Sequence, residues 1–306
     1  MKLVTYLTAG SAPRLGAVVN QRIFDLAGIA QANGEVLPSN ILDFLALGEP
    51  GMVRARNLLA RASAAGWPSV AESAAQLLAP IQRPPKLRAL AGNFQEHIKE
   101  AGHPAVNKAR ITPRPFIMPS TCIVGPNQPV ILPTTSQTID WELELLIVIG
   151  EGGKNISVDN AMKHVAGYAI FNDISARTLN IAQGRDERNG DWFFDWLLGK
   201  WLDSFAPMGP YVVTCDEVTD PHNLAMKLYV NDQLKQNGNT SQMIFNTPEI
   251  VAFFSDFITL EPGDVIATGT PSGVGHSTNT FLKAGDVIRG EIEMLGSLVN
   301  PVQSES

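Results

Sequence analysis

The chain has 306 residues, enough for one large domain or for a large domain with a small companion. A net charge of −7 and a pI near 5.3, with no basic cluster, argue against nucleic acid or an anionic membrane surface as a partner. The absence of an uncharged apolar run of spanning length, of an apolar leader in MKLVTYLTAG and of any CxxC spacing between Cys122 and Cys215 predicts a cytoplasmic protein with reduced thiols.

In chain order, KLVTYL and GAVVNQRIFDL read as strands of a short meander that turns at Asn20. Met52 to Leu78, rich in Ala, Leu and Arg, reads as helical. The prolines of PIQRPPKL, 80–87, then mark a linker, so the expected division is a small N-terminal α+β domain over 1–84 and a larger domain over 85–306. In NFQEHIKEAG, His97 and Glu100 share one helical face, with Asn93 as the expected cap and Glu96 as its reciprocal partner.

From there the chain reads as mainly β. Apolar runs such as RALAG, ELLIVIG, VAGYAIFND and GPYVVTCD are separated by Gly, Pro, Asn and Asp. YVNDQLKQNG predicts a hairpin around Asn231 and Asp232. A helix is predicted with Thr247 at its N-cap and Pro248 next, packing Ile250, Phe253, Phe254, Phe257 and Ile258 into the core. The segments EPGDVIATG and KAGDVIRGE read as two turn-plus-strand units, too few for a repeat architecture.

DWELELLIVIG, 140–150, alternates Asp140, Glu142 and Glu144 with Trp141, Leu143 and Leu145. Further along, the acidic side turns apolar, so the strand enters the interior. Crowded buried carboxylates repel, and a divalent cation removes that conflict. Oxygen-only ligation favours Mg²⁺, Mn²⁺ or Ca²⁺ over zinc. A solvated edge strand is the bland alternative, but GYAIFNDISAR ends a second apolar strand in another carboxylate, Asp173.

The set GNFQEHIKE, DWELELLIVIG, GYAIFNDISAR, GKWLDSFAPMGP, NTPEIVAFFSDFITLEPGDVIATGTPSGVG and GDVIRGEIEMLG resembles, in order and spacing, the fumarylacetoacetate hydrolase family over roughly residues 85–300. Within it the chain is similar to bacterial two-domain members such as acylpyruvate hydrolases and 2-hydroxyhepta-2,4-diene-1,7-dioate isomerases. The resemblance implies a mixed β-sandwich roll with a small N-terminal α+β domain, usually a homodimer. It implies Mg²⁺ or Mn²⁺ at Glu142, Glu144 and Asp173, with Asp140 a neighbour and Ca²⁺ a further candidate. It implies a His97–Glu100 dyad, Lys200 as a donor to an oxyanion or enolate, and substrate contacts from Arg177, Asn180, Gly269 and Thr270. The function it implies is hydrolysis of a C–C bond in a 2,4-dioxo acid. The alternative is isomerisation, decarboxylation or hydration of a related 2-oxo or 2-hydroxydienoic acid at the same site.

Departures from the family pattern are Phe94 where Tyr is usual, Met118 where Lys is usual and Asn180 where Gln is usual. Met118 suggests a less anionic or more apolar distal group. Trp192, Phe193, Phe194 and Trp196 suit a pocket wall, a dimer interface or ordinary core packing.

Overall fold

The computed structural model describes residues 1–182 and 184–305. Strands dominate, giving the expected α+β, mainly β architecture, and among the described residues they form a long mixed sheet, a five-stranded sheet and a short ribbon. The long sheet runs from the N-terminal meander through Lys2–Leu7, Ala206–Thr214, Val165–Asn172, Leu143–Ile149 and Val265–Ala267 to Leu87–Ala91 and Arg114–Ile117. The ribbon pairs Ile139–Asp140 with Ser175–Ala176, beside the two strand ends that carry the acidic residues. Among the described residues no helix is long and apolar enough to cross a membrane.

The change of character in DWELELLIVIG follows from the position of Leu143–Ile149. It lies between two antiparallel neighbours, and every residue in it is buried. Leu143, Leu145, Ile147 and Ile149 enter one core with Met226, Leu228, Ile288 and Leu298 of the five-stranded sheet. Leu146 and Val148 face the other way, into a second core with Phe171, Leu3, Phe44 and Leu58. A strand covered on both faces must be apolar on both. Six aliphatic side chains at about 1.5–3 kcal/mol each are ample to hold Glu144 in the interior against the cost of burying it.

The N-terminal segment is an extension of the long sheet rather than a detached unit. Lys2 and Leu3 pair with Val213 and Val212, and its apolar residues share the second core with the large sheet. The expected boundary at 84/85 falls in a stretch, 79–86, without helix or strand. The predicted helix over Met52–Leu78 is instead Gly48–Ala64. Gly66, at φ +65°, and Pro68 stop it, and Val70–Ala71 and Gln76–Leu78 become strands.

Turn chemistry is as read. Asn20 with Gln21 and Asn231 with Asp232 all take positive φ, joining antiparallel strands tightly. The later helix, Thr247–Phe257, is capped one residue earlier than predicted, by Asn246 in a reciprocal capping box with Glu249. Its apolar stripe is also shorter: Phe254 is buried, but Phe257 is 71% exposed.

Both cysteines are free. Burial pushes the Cys122 thiol up to about 12, with Asp203 and Asp173 adding to the effect, and burial likewise raises Cys215 to about 11. The native protein is therefore expected to resist iodoacetamide at pH 8 and to label at both positions once unfolded in urea. Mass spectrometry of native and denatured samples reads this directly, and rapid native labelling of Cys122 would contradict it.

Candidate active site

Glu142, Glu144 and Asp173 converge. One oxygen from each lies within 4.8 Å of the others, and all three residues are buried. Main-chain bonding sets this. The Asp173 N–H donates to the Glu142 carbonyl at 2.9 Å, which places the two strand ends side by side. At the interruption between Asp140 and Leu143, the Glu142 N–H donates to Asn172 Oδ1 and the Leu143 N–H to Gln236 Oε1, both at 2.9 Å. Buried backbone donors are thereby satisfied without closing the site with a sheet ladder.

Two cations face the three carboxylates. Lys200 Nζ donates to Glu142 Oε2 at 2.7 Å and to Asp173 Oδ2 at 2.6 Å. Its ammonium lies 5.5 Å from the Phe116 ring centre and 5.8 Å from that of Trp196. Arg177 NH2 lies 2.6 Å from Glu142 Oε1 and 2.7 Å from Asp140 Oδ2. Burial works to raise Glu142, but Lys200 and Arg177 outweigh it and hold the carboxyl below its ordinary value. Burial raises Glu144 well above that value, with Asp173 and Glu142 adding repulsion. Burial takes Asp173 up to about 7, against the pull of Lys200. Because Arg177 is shared with the buried Asp140, four carboxylates face two cations.

The donor set fits a divalent ion such as Mg²⁺ or Mn²⁺. It is all oxygen, and Asp173 Oδ1 is buried with no hydrogen-bond partner among the described residues. Among the described residues, Glu144 is anchored through one oxygen, Oε2, which accepts from the Gly269 N–H at 2.6 Å. The other oxygen is left for a ligand.

His97 and Glu100 are brought together. His97 Nδ1 and Glu100 Oε1 are 2.8 Å apart. A carboxylate at Nδ1 places the proton there and leaves Nε2 as the basic nitrogen. His97 lines one small cavity, about 70 Å³, together with Glu142, Glu144, Asp173, Arg177, Trp196, Lys200 and Thr270. Burial raises Glu100, but the bond to His97 and the Gly273 N–H, which donates to Oε2 at 2.8 Å, together hold it below its ordinary value. Asn93 does not cap this helix, which starts after Phe94 without a side-chain cap. Its amide instead bonds the Phe245 N–H and the Phe245 and Thr268 carbonyls, pinning the helix entry to the glycine loop.

The glycine-rich stretch TGTPSGVG, 268–275, runs beside the site. Its N–H groups are committed to carboxylates of the protein: Gly269 to Glu144, Gly273 to Glu100, and Gly275 and His276 to Asp140. The Thr270 hydroxyl donates to the Leu143 carbonyl and accepts from Gln236 Nε2, both at 2.8 Å, so it lines the cavity with its proton already spent. Gly269 therefore positions a candidate metal ligand. It sits at φ +92°, and a Cβ there would lie 2.9 Å from Asn93 Cβ. Gly269→Ala is expected to cost about 2 kcal/mol or more. Urea denaturation checks this, and an unchanged midpoint would contradict it.

Asn180 is not brought to the site. It is exposed, and its N–H donates to the Thr135 carbonyl. Met118 is buried in the second core and bears on no cavity wall next to the carboxylates. Phe94 is buried in the first core. Of the four aromatics, Trp196 reaches the cavity, while Trp192 and Phe194 are 71% and 59% exposed. Asp140 proves central: fully buried, it accepts from Arg177 Nε and from three main-chain N–H groups. Asn172 and Gln236 were not foreseen. Asn172 directly precedes Asp173, which is a weak signal, and nothing in YVNDQLKQNG marks Gln236.

A buried oxygen-donor trio beside a histidine–carboxylate pair is a candidate site for a divalent metal and for acid–base chemistry. The family profile described as fumarylacetoacetate (FAA) hydrolase C-terminal matches residues 86–303. The chain belongs to the fumarylacetoacetate hydrolase family. It is 41% identical to a mitochondrial oxaloacetate tautomerase of Xenopus laevis, over 99% of this chain and 90% of that protein. It is 42% identical to one of Homo sapiens, over 94% of this chain and 84% of that one. Among solved structures it is similar to a maleylpyruvate hydrolase from Sphingobium sp. SYK-6 in complex with manganese(II) and pyruvate, with a TM-score of 0.77, 29% identity and full coverage of both chains.

Proposed function

We propose that the chain is a divalent-metal-dependent tautomerase of a small 2-oxo dicarboxylic acid of the oxaloacetate type. The observation that carries this reading is the identity of 41 and 42% with two proteins named as oxaloacetate tautomerases, over nearly the whole chain. The site chemistry agrees. Mg²⁺ or Mn²⁺ held by Glu142, Glu144 and Asp173 would draw charge from the 2-oxo group and acidify C3 when bound. His97 Nε2, with Glu100 balancing the imidazolium, moves a proton between C3 and the enol oxygen. Lys200 and Arg177 offset the negative charge of the carboxylates and of an incoming dianion. Glu142, Glu144, Asp173 and Lys200 are buried, whereas His97 and Glu100 are half-buried at the cavity edge.

A second reading, hydrolysis of a C–C bond in a 2,4-dioxo acid, draws on the same dyad. His97 would take its proton from water rather than from carbon, and the likeness to a maleylpyruvate hydrolase favours it. Incubation with oxaloacetate in D₂O, followed by NMR, separates the two. Protein-dependent deuterium entry at C3 without pyruvate release is the expected result. Pyruvate release from 2,4-dioxo acids without exchange at C3 of oxaloacetate would overturn the first reading. The exposed Trp192, Phe193 and Phe194 suit the subunit contact of a homodimer, with light scattering as the check.

A further inference from the structure

Asp140 is fully buried, yet it stands outside the trio of converging carboxylates and does not line the small cavity that Arg177 lines. Both of its oxygens are engaged elsewhere. Oδ1 accepts from the Trp141 and Gly275 N–H groups at 2.8 and 2.6 Å, and Oδ2 accepts from the His276 N–H and from Arg177 Nε, both at 2.8 Å. The main chain comes close to do this: a Cβ at Gly275 would lie 2.7 Å from Asp140 Oδ1. Three main-chain donors fix this carboxylate, and the side chain it holds is Arg177.

Arg177 NH2 sits between two anions, 2.7 Å from Asp140 Oδ2 and 2.6 Å from Glu142 Oε1. Lys200 differs, because both of its carboxylates, Glu142 and Asp173, belong to the trio. Lys200 would therefore share both anions with a divalent cation, whereas Arg177 keeps one that lies outside the ligand set. The charges agree. Asp140, Glu142, Glu144 and Asp173 against Lys200 and Arg177 leave two negative charges, which a divalent cation cancels. Without Asp140 a single negative charge would remain, and the guanidinium would have Glu142 as its one anion and compete with the metal for it.

We infer that Asp140 is a positioning residue for the metal: it is no ligand itself, but it keeps Arg177 from closing on Glu142 and supplies the counter-charge with which the trio takes a divalent cation. The inference rests on the reading that such a cation sits at Glu142, Glu144 and Asp173. Asp140 acts through Arg177, so the harm done by removing the one is undone by removing the other.

The test is calorimetric titration with Mn²⁺ of the metal-free full chain, as wild type, Asp140→Asn, Arg177→Gln and the double variant. Asp140→Asn is expected to weaken Mn²⁺ binding by about 10- to 100-fold although it removes no ligand. Arg177→Gln, which adds to the negative charge of the site, is expected to bind Mn²⁺ at least as tightly as wild type. The double variant restores the charge balance and is expected to return to within about threefold of wild type. If Asp140 serves the fold alone, the double variant binds no more tightly than Asp140→Asn. That result, or wild-type affinity in Asp140→Asn, would overturn the inference and leave the proposed function standing. Should Asp140→Asn not fold, Arg177→Gln decides, and weaker Mn²⁺ binding than in wild type would overturn the inference. Failure of the wild type to bind Mn²⁺ would overturn the proposed function and the inference with it.

Discussion

Glu144→Gln is expected to abolish turnover while making the metal-free protein more stable. The two effects share one cause. Glu144 is buried beside Asp173 and Glu142, and its one protein donor to an oxygen is the Gly269 N–H. Without a cation, this carboxylate is a cost to the fold, and a neutral amide of the same shape relieves it while keeping an acceptor for Gly269. With the cation, the missing charge removes a ligand. A loss of several kcal/mol of Lewis-acid stabilisation corresponds to about 10³-fold in rate. Thermal melts with and without Mn²⁺ read both halves. The wild type should gain stability on adding metal, whereas the variant should start higher and gain little. A variant less stable than wild type without metal would contradict the electrostatic account.

The same crowding sets a pH dependence for the metal-free protein. Asp173 is raised from 3.8 to about 7 in the fold. Between those values the folded state holds a proton that the unfolded chain has lost, so stability falls as pH rises. Melting temperatures should therefore drop from pH 5 to pH 8 without metal, and added Mn²⁺ should reverse the drop by displacing the proton.

His97→Asn is expected to cut turnover by about 10²- to 10⁴-fold with little change in metal affinity. His97 lies outside the candidate metal cluster: Nδ1 is paired with Glu100, and the clustered donors are three carboxylates. The asparagine retains a polar group at the Glu100 end but offers no base to carbon. Glu100→Gln should have a smaller effect, since it leaves the imidazole in place and removes only its counter-charge. Calorimetry with Mn²⁺ beside steady-state kinetics separates the roles. Loss of metal binding in His97→Asn would move His97 into the ligand set.

Much of this site was legible in the chain. A period of two is a strong signal, and it placed Glu142 and Glu144 on one side of a strand and explained why Leu146 and Val148 follow them. The nearness of His97 and Glu100 was legible because i and i+3 on a helix are neighbours whatever the tertiary structure, whereas a dyad role for them came from the family resemblance. Contacts between distant segments were less so. Thr270 and Gly269 are expected as substrate contacts from the family resemblance alone. Which acceptor takes the N–H groups of their loop depends on Asp140, Glu144 and Glu100, each more than a hundred residues away in the chain. Asn180 failed for a related reason. Its place after Arg177 looked meaningful, but the chain turns away to Thr135 as the ribbon ends. The helix over Met52–Leu78 was overdrawn because composition gives no end point, whereas Gly66 and Pro68 do.

The central claim is that Glu142, Glu144 and Asp173 hold one divalent cation on which proton transfer at C3 depends. Titrating metal-free protein with Mn²⁺, while following both occupancy by calorimetry and the protein-dependent rate of enol-oxaloacetate ketonisation above that of Mn²⁺ alone, tests it most directly. The rate should rise in proportion to filling of a single site per chain and return to baseline with chelator. A full rate in the metal-free protein, or one unchanged in Glu144→Gln, would contradict it.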